Sequence, residues 1–240
     1  MIRYSRLTPR GVQALVGLTE MRAMQTDVLA EFLGVGVAQT YRLASQLADA
    51  NAAERLPSVR GESTWIVPTR AAATWVLGWR PGEWRPRSNS AVHCRAVART
   101  RVALGACATD QWVSDRVLRH ELPGPGLYPY DGMLLRAAMT AVAVKVDTSA
   151  HVTGAQLTRR LNLVVRQARQ DECAEILYVC DGNLSTDDVA TAAQQTLPDI
   201  PDLVLRITRL DTLVSGKHPY LRPVDGSCDS PRQRATGGAH

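Results

Sequence analysis

Lysine is almost missing from this chain. Only Lys145 and Lys217 are lysine among its 28 basic residues, and the other 26 are arginine. Such a bias often reflects a GC-rich genome, although arginine also suits bidentate contacts to guanine or phosphate better than lysine does. Long apolar runs are missing too. None approaches the roughly twenty residues that span a bilayer, and no secretory leader precedes Leu7. The cysteines make no framework: Cys94, Cys107, Cys173, Cys180 and Cys228 are odd in number, scattered, and without zinc-knuckle spacing. A reduced, cytoplasmic protein without a membrane partner is therefore expected. No glycine-rich phosphate loop, His-Glu-x-x-His helix or nucleophile elbow occurs. Gly124, Pro125 and Gly126 read as a loop, because proline has no N–H to offer a phosphate. There is no internal repeat.

What the chain does have is length for two domains and a modest positive charge. Its 240 residues carry a formal net charge of +5, and its pI of about 9.2 fits a polyanionic partner. Thr8 can cap a first helix with Val12, Leu15, Val16 and Met21 on one face. A second helix is predicted over 26–33, broken by Gly34 with Gly36 close behind. The helix predicted over 37–50 opens with Gln39, Thr40, Tyr41 and Arg42 and turns Leu43 and Leu47 inward. Polar side chains near the start of such a helix suit the reading of base edges. Residues 54–57 and 63–67 can pair as a wing with Arg60 at its tip, placed for phosphate or the minor groove. Thr69 can cap a closing helix through Trp75 and Leu77.

Two prolines, a glycine and three arginines break regular structure between Trp79 and Arg87, and the tryptophans there are expected to pack rather than face solvent. A helix is predicted over 91–104, with Arg95, Arg99 and Arg101 on its polar side. Strands follow over 111–118, 132–135, 140–146, 174–180 and 203–207, with helices over 153–170 and 186–195. The expected fold class is α/β overall (α+β). A winged helix-turn-helix covers residues 1–80, a linker 81–90, a mixed-sheet α/β domain 91–215, and a mobile tail 216–240.

Five segments, in order, carry a family resemblance. They are Trp65-Ile66-Val67-Pro68-Thr69, His93-Cys94-Arg95-Ala96-Val97, Trp112 through Arg119, Pro129-Tyr130-Asp131-Gly132, and Val144 through His151. In this the chain resembles the replication-relaxation family of plasmid and mobile-element proteins. The second is similar to that family's His-x-x-Ala-Val helix, the third to its Trp-x-Ser-Glu-Arg-x-Leu-Arg segment, and the fourth to Pro-Asp-Gly with one residue inserted. The fifth aligns with a Val-Glu-Val-Glu-x-Ser-x-Lys stretch. The resemblance implies a winged helix joined to a domain similar to the PD-(D/E)xK nucleases.

A nuclease of that class holds a divalent metal with two or three carboxylates and steadies the reacting charge with a lysine. The resemblance places Asp115, Asp131 and Asp147 as the carboxylates that would bind Mg²⁺, with Lys145 as the lysine. Yet Lys145 stands where the family's key glutamate is expected, and His151 replaces its later lysine. An ammonium in place of a ligand removes a negative charge and adds a positive one, so no cofactor and no cleavage are expected. His93 reads as a structural helix residue, His151 as a helix-start or surface histidine, and His218 falls in the tail. Arg159, Arg160 and Arg166 read as a solvated helix face, or as the extension of a basic track from the wing if the domains dock that way round.

The expectation is a duplex-DNA-binding protein acting in replication, transfer or transcriptional control of a mobile element. Gln39, Thr40, Tyr41, Arg42 and Arg60 would contact DNA, and the second domain would serve for dimerisation, for docking to replication or transfer proteins, or for a second DNA contact. Two alternatives stand beside it. One is a metal-dependent endonuclease using Asp115, Asp131, Lys145 and Asp147; the other is an adaptor that docks a protein through the winged helix.

Overall fold

Thr8 opens the first helix, α1 (Pro9–Glu20), by accepting a hydrogen bond from the Gly11 amide at 3.1 Å. The computed structural model describes residues 7–57, 62–121, 128–136, 140–149, 152–196 and 203–216. Arg60, His151, His218, Cys228 and the tail beyond Gly216 lie outside the described residues. A short strand, β1 (Met24–Gln25), leads into α2 (Thr26–Leu33). Gly34 ends α2 at φ +62°, a left-handed conformation that glycine adopts without a Cβ penalty. Helix α3 (Val37–Asp49) follows, burying Thr40, Leu43, Ala44 and Leu47 at helical spacing. Strands β2 (Ala53–Leu56) and β3 (Trp65–Pro68) pair antiparallel and complete a sheet of order β1-β3-β2. Helix α4 (Arg70–Leu77) is capped by the Thr69 hydroxyl, which accepts from the Ala72 amide at 3.3 Å.

The Trp79–Arg87 stretch has no regular structure, and its tryptophans pack. Trp84 meets Trp65 at a ring separation of 6.0 Å, and Trp79 stacks on His120 at 4.0 Å. Arg70–Glu83 and Arg85–Glu54 ion pairs at 2.6 and 2.9 Å tie the same stretch to the N-terminal unit.

The rest of the chain builds on a five-stranded mixed sheet, so the fold is α+β as expected. Its elements are α5 (Ser88–Ala103), β4 (Trp112–Ser114), α6 (Asp115–Glu121), β5 (Gly132–Leu135), β6 (Ala141–Asp147), α7 (Gly154–Gln170), β7 (Glu175–Cys180), α8 (Thr186–Thr196), β8 (Val204–Arg209) and α9 (Leu210–Val214). The strand order is β4-β5-β6-β7-β8; the first three are antiparallel and the last three parallel. Alternation along β6 sends Val142, Val144 and Val146 to the side covered by α5, and Ala143 to the side covered by α7. Gly132 lets the β4–β5 pair close, because a Cβ there would sit 2.1 Å from the Trp112 ring.

Three sequence readings need correction. The strand expected over 111–118 stops at Ser114, and Asp115 begins α6 instead; a carboxylate in a helix's first turn suits the positive end of its dipole. Arg101 is not on a polar face but fully buried, and α9 and β1 add to the expected elements. The buried arginine shows how the two units are joined. Arg101 pairs with Glu20 of α1 at 2.6 Å and lies 5.1 Å from the Phe32 ring and 5.8 Å from the Trp112 ring. Arg95 pairs with Asp27 of α2 at 2.5 Å, and Arg116 donates to the Thr19 carbonyl at 2.9 Å. One hydrophobic cluster accordingly runs from Leu15 and Phe32 through Val97 and Trp112 to Val144 and Leu213.

Candidate functional site

Helix α3 presents an outward polar face. Gln39, Tyr41 and Arg42 are exposed, whereas Thr40 is fully buried and its hydroxyl donates to the Gly36 carbonyl at 3.2 Å. Thr40 thus belongs to the core stripe of its helix and cannot read a base from there. The Tyr41 hydroxyl accepts from Thr26 at 3.3 Å, which fixes the ring beside the start of α2. Arg55 on β2 donates to the Ser45 hydroxyl at 3.1 Å and so adds a second cation beside this face. Arg60 lies outside the described residues.

The other candidate residues converge elsewhere. Asp115, Asp131, Lys145 and Asp147 all line one cleft of 680 Å³, between the N-terminal unit and one end of the five-stranded sheet. Lys145 and Asp147 share a face because they lie two apart on β6. Asp131 sits just before β5, where the pairing of Gly132 with Val144 carries it against β6. Asp115 stands at the opening of α6.

Each carboxylate is already held by cations and hydrogen-bond donors. Asp131 accepts from His93 Nε2 at 2.8 Å, from Lys145 Nζ at 3.1 Å and from the Val146 amide at 2.8 Å. A carboxylate only accepts, so His93 carries its proton on Nε2 in this contact. Burial alone would raise the Asp131 pKa, but Lys145, His93 and the Val146 amide together hold it down at about 2. Asp147 accepts from Arg160 at 3.1 Å, Tyr178 at 2.9 Å and the Ser149 amide at 3.0 Å. Against the upward pull of burial, these donors keep Asp147 below the usual aspartate value. Asp115 takes both Arg22 guanidinium nitrogens at 2.5 and 2.8 Å, and Arg119 at 3.3 Å.

This donor set does not fit Mg²⁺. A divalent cation needs carboxylate oxygens turned toward a common point. Here the oxygens of Asp115, Asp131 and Asp147 are turned toward three separate groups of cations. Among the described residues, no three His, Cys, Asp or Glu side chains gather closely enough to hold a metal ion. Lys145, standing where the resemblance implies a glutamate, itself makes one of these contacts. Cys94 also lines the cleft, but burial pushes its thiol up to about 12, and it donates to the Met21 carbonyl at 3.3 Å. Ser114 lies in the wall with a buried hydroxyl that has no hydrogen-bond partner among the described residues. Through Asp131, His93 of α5 is linked to β5 and β6, and through Asp115, Arg22 of the N-terminal unit is linked to α6.

His93 and Arg160 belong to this site although their sequence context suggests a structural helix residue and a solvated face. A signal is present for His93, since it opens one of the five resembling segments. None is present for Arg160, because its partner Asp147 lies across a loop on a different element. No helix among the described residues is long and apolar enough to cross a membrane. No family model matches the chain, and no curated protein or solved structure matches it.

Proposed function

We propose that this chain is a DNA-binding protein that reads duplex DNA through α3, with the five-stranded unit as a scaffold and docking surface rather than a nuclease. The observation that carries this reading is the outward face of α3. Gln39, Tyr41 and Arg42 stand exposed at the helix's first turns, directly after the glycine-broken turn from α2. Arginine there can make bidentate contact with guanine, and glutamine with adenine. The helix and strand order α1-β1-α2-α3-β2-β3 supports the winged-helix reading of the N-terminal unit.

Within that class, the reading is of a protein like those of the replication-relaxation family, acting in replication, transfer or transcriptional control of a mobile element. The five resembling segments support it. The test is duplex binding by the full chain across a salt series with chelator present. Micromolar or tighter binding that weakens steeply with salt is expected, the slope counting the phosphate contacts. No binding at low salt refutes the proposal and turns attention to an adaptor role. A second reading, Mg²⁺-dependent cleavage, has one observation in its favour: Asp115, Asp131, Asp147 and Lys145 share one cleft. The cations that hold those carboxylates count against it.

A further inference from the structure

Helix α7 covers one side of the five-stranded sheet and shows an unusual outer face. Over 17 residues it carries Arg159, Arg160, Arg166 and Arg169 and no aspartate or glutamate. Arg160 reaches down to Asp147 and Ser149 in the cleft. Arg159, Arg166 and Arg169 are exposed and make no ion pair among the described residues. Arg166 and Arg169 form a like-charged i, i+3 pair, which works against the helix. Arg169 lies in the last turn, where the helix dipole favours a cation, and the helix is anchored by its apolar side through Leu157, Leu161, Val164, Val165 and Ala168.

We propose that this face is a second nucleic-acid contact, which grips the phosphate backbone of duplex DNA while α3 reads bases. It rests on the DNA-binding reading of the chain and extends it to the five-stranded unit. A shallow, open depression of 540 Å³ is lined by Arg159, Asn162, Leu163 and Arg166 of the helix and by Gln195 of α8. Gln195 is steadied there by the Thr158 hydroxyl, which donates to its side-chain oxygen at 3.3 Å. Arg159 and Arg166 are two turns apart, about 10.5 Å along the axis. That separation is close to the roughly 12 Å width of the B-DNA major groove, so two guanidiniums can reach phosphates on opposite rims. Asn162 adds an amide of the type that bonds phosphate and sugar. Leu163 is the single exposed large apolar side chain of the helix, too little to seat it in a lipid surface. The chemistry favours a hydrated polyanion.

The experiment compares wild type, Arg42→Ala, and the triple variant Arg159→Ala/Arg166→Ala/Arg169→Ala in binding to one random-sequence duplex over a salt series. The triple variant should bind about tenfold or more weakly at low salt. Its log–log salt slope should be shallower by roughly 0.9 for each phosphate that is no longer neutralised. Arg42→Ala should instead lose sequence preference on specific duplexes and change the slope by about 0.9 at most. An unchanged slope in the triple variant, beside a wild type that binds DNA, overturns the inference and leaves the α3 reading standing. A shallower slope in the triple variant, with Arg42→Ala keeping its preference for a selected duplex over the random one, upholds it and removes the α3 reading. If wild type binds no duplex at all, both fall. Co-sedimentation with phosphatidylserine vesicles that the triple variant loses, with DNA binding unchanged, reassigns this face to a membrane surface. Thermal melts of each variant check the fold, and Arg→Gln at the same three sites repeats the test if the alanine set melts early.

Discussion

The α3 face and the cleft use arginine in opposite ways. On α3, Arg42 is exposed and held by no partner among the described residues. In the cleft, Arg22, Arg119 and Arg160 are each engaged with an aspartate, and Lys145 and His93 share a third. An unpaired exposed guanidinium has its donors available to a partner. A paired one must first break a contact to meet one, and leaves a carboxylate uncompensated when it does. Charge alone therefore does not mark a binding site; the state of its pairing does.

The largest effect is expected where the two regions are joined. Arg101 is fully buried against Glu20, and removing one member of a buried pair strands the other. Arg101→Leu should lower unfolding free energy by about 3–5 kcal/mol in denaturant titration. The double variant Arg101→Leu/Glu20→Leu should recover most of the loss. Burial already pushes the Glu20 carboxyl upward against the pull of Arg101, so the single variant's deficit should shrink as pH falls and Glu20 takes up a proton. An equal deficit in single and double variants would show that packing between Phe32 and Trp112, not the ion pair, makes the joint.

The next effect belongs to the exposed side of the comparison. Arg42→Ala should remove about 1–3 kcal/mol of discrimination between a preferred duplex and a random one. Asp115→Asn should leave that discrimination intact. The pair of results is read by competition binding. If both variants lose discrimination equally, the cleft rather than α3 carries sequence preference.

Much of this architecture is legible in the chain. The helical spacing of Leu157, Leu161, Val164 and Ala168 announces α7, and the apolar run from Ile176 announces β7. Thr40 could be placed inside, since 40, 43, 44 and 47 make one helical stripe; its polarity argues against its position. Arg101 is beyond local reading. A charged residue is presumed exposed unless its partner is known, and Glu20 lies in a different unit. The role of His93 is hidden for the same reason: Asp131 is 38 residues away, brought near only by the β5–β6 pairing. Periodicity reports which face is buried but not which distant charge waits there.

A smaller effect separates Asp131 from ordinary aspartates. Its pKa of about 2 lies below the usual 3.8, so it binds fewer protons folded than unfolded over that interval. The stability this contributes is complete above pH 3.8 and is lost as pH falls through about 2. The contribution is about 2 kcal/mol. Stability of the wild type should therefore fall more steeply than that of Asp131→Asn between about pH 4 and pH 2. Parallel acid limbs in the two proteins would mean that the grip of Lys145 and His93 on Asp131 persists in the unfolded chain or is absent from the folded one.

The smallest effect is the most discriminating for the cleft. A site that binds Mg²⁺ in the folded state alone gains stability as the ion is added, by about 2.7 kcal/mol at one hundred times its Kd. The cleft should gain nothing, because Lys145, Arg160 and Arg22 occupy the directions from which its carboxylates would meet a cation. Thermal melts in chelator and in millimolar Mg²⁺ should coincide, and supercoiled DNA should stay intact in both. A rise in Tm with Mg²⁺ that Asp131→Asn abolishes would mean that the ion displaces Lys145 and His93. The cleft would then hold its carboxylates in reserve for a metal, and the contrast between an open face and a closed one would give way to two working sites.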